Sequence, residues 1–182
     1  MPTSPPNETA RRDSWKTLPL PEVRAALGFD ECYTAEEFAR IQQGLIPQEM
    51  EDKWFVFYED DWLYLHRSWT GACIYGLRFE PTDAGVSVVE SWASRDTNHY
   101  KQTRIDYDRT MLKFLIDAFL LGKRVAFPVP SDVPASVPAG IYQHHLVGRA
   151  YPEAAHPTDK PRARSFWERI TRWFRRSDDA AS

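Results

Sequence analysis

The sequence predicts an α+β fold: an antiparallel meander of four to five strands packed against one long buried helix, preceded by short N-terminal helices and followed by a C-terminal amphipathic helix. Three observations carry this. Between Lys53 and Ala93, four short runs rich in β-branched and aromatic residues alternate with turn-like sequences. The connections EDD, SWTG and EPTDAG are too short for parallel crossovers, which need about a dozen residues or more, so the neighbours are antiparallel. Beyond them, TMLKFLIDAFLL (110–121) is apolar on most sides, as a helix buried on more than one face must be.

Taken in order, 1–18 is polar and proline-rich and reads as a flexible leader to a domain spanning 19–147. Residues 22–27 read as a short helix, with Pro21 at its first turn and Gly28 as its stop. Thr34 with Glu37 makes a capping box, Phe38, Ile41 and Leu45 recur at helical spacing, and Gly44 closes that helix. The strands follow at 53–58, 62–67, 72–79 and 86–93. Asp106 or Asp108 caps the long helix, which ends at Gly122. Val125 to Phe127 adds a fifth strand, a loop with four prolines follows, and 141–147 returns as an edge strand. Residues 148–162 form a linker, 163–176 a basic amphipathic helix and 177–182 a flexible end.

Composition narrows the function classes. The 182 residues are 42% hydrophobic and 14% aromatic, which suits one folded domain with tails. Net charge is −3, which argues against nucleic-acid binding, but seven basic residues and one acid crowd between Lys160 and Arg176. Cys32 and Cys73 lack a paired spacing and read as reduced thiols of a cytoplasmic protein. The chain shows no secretory h-region, and the longest apolar run, 114–121, is far shorter than the ~20 residues of a membrane span. GxGxxG, Walker, GxSxG, HExxH and calcium-loop patterns are all missing, so no cofactor and no metal is expected. The acidic run Glu49, Glu51, Asp52, Glu59, Asp60, Asp61 reads as a solvated hairpin tip.

Three constellations carry chemistry. In HRSWTG, 66–71, period-2 alternation places Trp62, Tyr64 and His66 on one face and Leu63, Leu65 and Arg67 on the other. One reading is an anion or nucleotide pocket, with Arg67 as clamp and the Ser68, Trp69, Thr70 and Gly71 backbone supplying N–H groups. The other is a tight hairpin turn plugged by Trp69. Glu90, at the end of the fourth strand near Arg95 and His99, is a general acid or base if buried and an ordinary surface carboxylate if not. At the C-terminal end, Phe166, Trp167, Ile170, Trp173 and Phe174 form a stripe with Arg172 and Arg175 beside it. That pattern suits an anionic membrane surface, an acidic partner or the protein's own body.

Residues 50–80, MEDKWFVFYEDDWLYLHRSWTGACIYGLRFE, resemble a core of small uncharacterised bacterial proteins with a tryptophan-led strand, an HRSWTG turn and a tyrosine strand. Similar segments occur beside or fused to ADP-ribosylglycohydrolases. The resemblance spans about a sixth of the chain, implies no established activity and transfers no catalytic residue; the metal motifs of those hydrolases are not found here. The leading expectation is a small accessory or immunity-like binding protein that recognises a partner protein or nucleotide-like ligand, with Trp54, Arg67 and Trp69 as anchors and Arg95 beside them. Two alternatives stand. One is an enzyme on a phosphate-bearing or ADP-ribose-like substrate, with Arg67 as clamp and Glu90 or His66 as acid or base. The other is a protein held peripherally at the inner membrane surface by its C-terminal helix.

Overall fold

The computed structural model describes residues 8–49 and 51–128. The expected proline-rich loop beyond 128, the edge strand 141–147, the linker, the helix 163–176 with its Phe166–Phe174 stripe, and the final residues lie outside the described residues.

The meander forms as β3 (Trp54–Glu59), β4 (Trp62–Arg67), β5 (Cys73–Thr82) and β6 (Gly85–Ser94), each antiparallel to the next. Asp60 and Asp61 close β3 onto β4 with positive φ at both positions, the two-residue hairpin geometry that matches strand twist. Two further strands complete a six-stranded sheet on the far edge: β1 (Arg24–Ala26) and β2 (Cys32–Tyr33) both pair with β6.

Here the structure corrects two expectations. The segment 22–27 is not a helix. Six residues offer too few turns to repay helix nucleation, whereas the open edge of β6 satisfies their backbone at once, and Leu27 N–H also donates to Ser91 O at 2.9 Å. Val125 to Phe127 is not a strand either. It runs as coil, with Val125 and Phe127 packed on the core and Phe127 set edge-on to Phe114.

The helix α1 (Ala35–Gln43) starts as its capping box dictates: Glu37 N–H donates to Thr34 Oγ1 at 3.2 Å and Thr34 N–H to Glu37 Oε2 at 3.1 Å. The second helix, α2 (Ile105–Leu115), runs on into a π-helical turn, Ile116–Leu120, rather than remaining one regular helix to Gly122. Its N-cap is Arg104, and neither Asp106 nor Asp108 caps it. Asp108 sits inside the first turn and turns inward, where stronger donors await it.

Residues paired across strands share a face. Val56, Leu63, Leu65, Tyr75, Leu77 and Phe79 point to one side and join Ile41, Leu112, Leu115 and Ile116 in the main core. Each fully buried aliphatic or aromatic side chain there contributes roughly 1.5–3 kcal/mol. The opposite face carries Phe55, Phe57, Tyr64, His66 and Trp92. Gly76 leaves room for the Trp92 indole to lie on the sheet, since a Cβ there would fall 2.3 Å from Trp92 Cζ2.

The stretch 8–18, expected to be a flexible leader, instead forms a strap along this second face. Ala10 N–H donates to Gln43 O, Arg12 spreads over Phe57 and Tyr64 while pairing with Glu59, and Trp15 Nε1 donates to Ser68 O. Leu18 N–H then bonds Gly71 O at 2.8 Å. The strap closes because the face beneath it is aromatic: an open sheet face bearing Phe55 and Phe57 would leave a large apolar area in water.

Candidate functional site

The HRSWTG turn uses most of its own polar groups. Gly71 N–H donates to Arg67 O, Arg67 N–H to Ala72 O and Ser68 N–H to Lys53 O, all within 3.1 Å, and Ala72 N–H reaches Thr70 Oγ1 at 3.2 Å. The Ser68 and Gly71 N–H groups expected to hold an anion are therefore already donated, to Lys53 O and Arg67 O. What the turn presents outward is Trp69, 58% exposed, with Lys53 Nζ 4.1 Å above its ring. Trp15 and Trp69 flank a cleft of about 560 Å³ whose floor includes Ser68 and Asp52.

Trp54 and Arg67, expected as outward anchors, lie on the core side instead. Trp54 is 2% exposed, with the Arg67 guanidinium 4.2 Å over its ring and Tyr75 stacked at 5.9 Å. The cross-strand pairing Trp54↔Arg67 makes this happen: both side chains share the face that α2 covers. Burial lowers the Arg67 pKa, partly countered by the phenols of Tyr75, Tyr100 and Tyr107.

Behind that stack lies a buried polar network. Asp108 is fully enclosed and accepts from Tyr100 OH and, at 3.1 Å, from Tyr75 OH; the two phenol oxygens are 2.7 Å apart. Its other oxygen, Oδ2, receives Arg95 Nη2 at 2.7 Å, and Arg95 Nη1 donates to Ser94 O at 3.0 Å. Burial pushes both tyrosine pKa values up, with the Asp108 charge adding to it, so both phenols stay protonated as donors. Arg95 also lines a second cleft, about 460 Å³, between the strap segment 18–23 and the turn 94–99.

No family model, no curated protein and no solved structure matches the chain.

The sheet does not bring the expected acid and base together. Glu90 pairs with Arg78 across β6 and β5 at 3.5 Å, and its side chain is 56% exposed. In register it faces Trp62 through Arg78, about 13 Å along β4 from His66. His66 itself is buried between Phe55 and Phe57. Its Nδ1 donates to Gly71 O at 2.8 Å, which leaves Nε2 as a buried acceptor with no partner among the described residues. The Cys73 thiol, opposite His66 on β5, is pushed up to about 12 by burial and stays protonated.

Sequence reasoning named Arg67, Trp69 and Arg95, but it missed Asp108, Tyr75 and Trp15. In the sequence Asp108 stands as a candidate N-cap; its buried role is not visible there, because its tyrosine donors come from β5 and the loop at Tyr100, 33 and 8 residues away.

His66 makes stability pH-dependent. Burial lowers its pKa from 6.5, outweighing the bond to Gly71, which raises it. The unfolded chain then binds a proton that the folded chain resists. This contribution is fully present above the unfolded pKa near 6.5 and is lost as pH falls through the lower folded value. The melting temperature should therefore drop between pH 7 and pH 5. His66→Gln keeps a donor for Gly71 O without titrating and should flatten that drop; an unchanged slope would rule His66 out as its cause.

Proposed function

We propose that this chain is a binding protein that recognises a partner protein through an apolar rim built by Trp15, Leu18, Val23 and Trp69. One observation carries the reading. Of the six large apolar side chains that the described residues expose, Trp15 and Trp69 line one cleft and Leu18 and Val23 line the other, and the strap links the two through its bonds to Ser68 O and Gly71 O. The remaining two, Val89 and Ile105, belong to β6 and the start of α2. Large apolar side chains clustered at clefts mark interaction surfaces, and tryptophan is the residue type most enriched among those that dominate binding energy.

The rim is also held in place before any partner arrives. Trp15 Nε1 is fixed on Ser68 O at 2.8 Å and Leu18 N–H on Gly71 O at 2.8 Å. Ordering costs on binding are correspondingly small. The position of Glu90, exposed on Arg78 and remote from His66, fits a binder and supplies no acid for a reaction at Arg67.

Selection of displayed random peptides against the full chain tests the reading. Peptides recovered on the wild type should lose about 30-fold in affinity on Trp69→Ala, the equivalent of about 2 kcal/mol at a dominant contact. Trp15→Ala should act in the same direction. Peptides that bind wild type and both variants equally would refute the rim as the recognition surface.

A further inference from the structure

We infer that the cleft between the strap and the 94–99 turn binds an oxyanion, a phosphate or carboxylate group, seated on Arg95. This goes beyond the apolar rim: the cleft shares Leu18 and Val23 with it but the inference rests on Arg95.

The guanidinium is held as a recognition group needs to be. Asp108 grips Nη2 from inside, and the Ser94 carbonyl takes one Nη1 donor. Arginine has five N–H donors; the others have no protein partner among the described residues. The Arg95 side chain is 14% exposed and lines the cleft. Tyr75 and Tyr100 lock Asp108 in turn, so the cation is fixed from two layers behind the surface. A fork oriented in this way forms paired charge-assisted hydrogen bonds with a planar or tetrahedral oxyanion.

The rest of the cleft sets the kind of ligand. One wall is apolar, formed by Leu18, Pro19, Leu20 and Val23, and the other carries Thr97 and His99 beside Arg95. A ligand with an anionic head and an apolar body matches that division. Two acids also line the cleft: Asp96 Oδ1 is taken by Asn98 N–H and Nδ2, and Glu22 is exposed, where water and salt screen it, so an anion has to seat on the Arg95 fork itself.

Arginine side-chain NMR of the full chain tests this with inorganic phosphate, acetate and ADP as probes at millimolar concentration. The Arg95 Nε–Hε signal should move and saturate with at least one of them. A response to phosphate and ADP alone assigns a phosphate head, and a response to acetate assigns a carboxylate. Arg95→Lys keeps the charge but loses the fork, and should weaken the saturable binding about tenfold. The wild-type spectrum decides the matter even if that variant folds poorly. An Arg95 signal indifferent to all three probes overturns the inference. So does one that drifts without saturation, in step with the exposed Arg24.

Discussion

Replacing Asp108 with alanine is expected to destabilise the protein by about 3–5 kcal/mol, the range for breaking a buried charge pair by removing one partner. The cost has two sources. Arg95 would be left as a guanidinium within the wall of the domain without its carboxylate, and Tyr75 and Tyr100 would lose the acceptor that both reach. Urea unfolding should show a lower midpoint with an unchanged slope. The double variant Asp108→Leu with Arg95→Met is expected to recover part of the loss, because no charge remains unpaired. A loss below about 1 kcal/mol for Asp108→Ala, the size of an ordinary single hydrogen bond, would refute this account of the network.

Gly44→Ala is expected to cost about 3 kcal/mol, combining backbone strain of about 1–3 kcal/mol with an overpacking cost of similar size. Gly44 ends α1 at φ 67°, ψ −157°, a region essentially reserved for glycine. An added Cβ would also fall 2.2 Å from the Val56 carbonyl oxygen. That oxygen accepts from Leu45 N–H at 2.8 Å, and Leu45 O accepts from Val56 N–H at 2.9 Å. The pair is the bridge that covers the outer edge of β3. Hydrogen exchange should therefore show faster opening at Leu45 and Val56 amides than in the wild type. A variant as stable as the wild type, with those amides still protected, would show that the chain finds another exit from α1.

Elements whose geometry depends on near neighbours are legible in the sequence. The capping box at Thr34 and Glu37, the stop at Gly44 and the turn in EDD each depend on residues within about four positions; the first two form as the sequence reads, and the turn tightens to Asp60–Asp61 with Glu59 ending β3. The alternation in WLYLHR likewise separates Leu63 and Leu65 from Trp62 and Tyr64. The site was less legible. Arg67 and Trp54 have the residue types of an exposed anchor, and only the register Trp54↔Arg67 turns them together beneath α2. Trp15 belongs to a segment with no periodicity at all; its bond to Ser68 O spans 53 residues.

The class of fold, the four central strands with their antiparallel order, and α1 with its ends follow from local chain chemistry, because hydrophobic period and turn residues act between near neighbours. Long-range packing settles that Arg24–Ala26, within 22–27, pairs as a strand, that 8–18 straps the second face, and that Asp108 gathers Tyr75, Tyr100 and Arg95. Those outcomes turn on satisfying a sheet edge, covering an aromatic face and neutralising a buried charge. The partners involved lie far apart along the chain, so no local pattern encodes them.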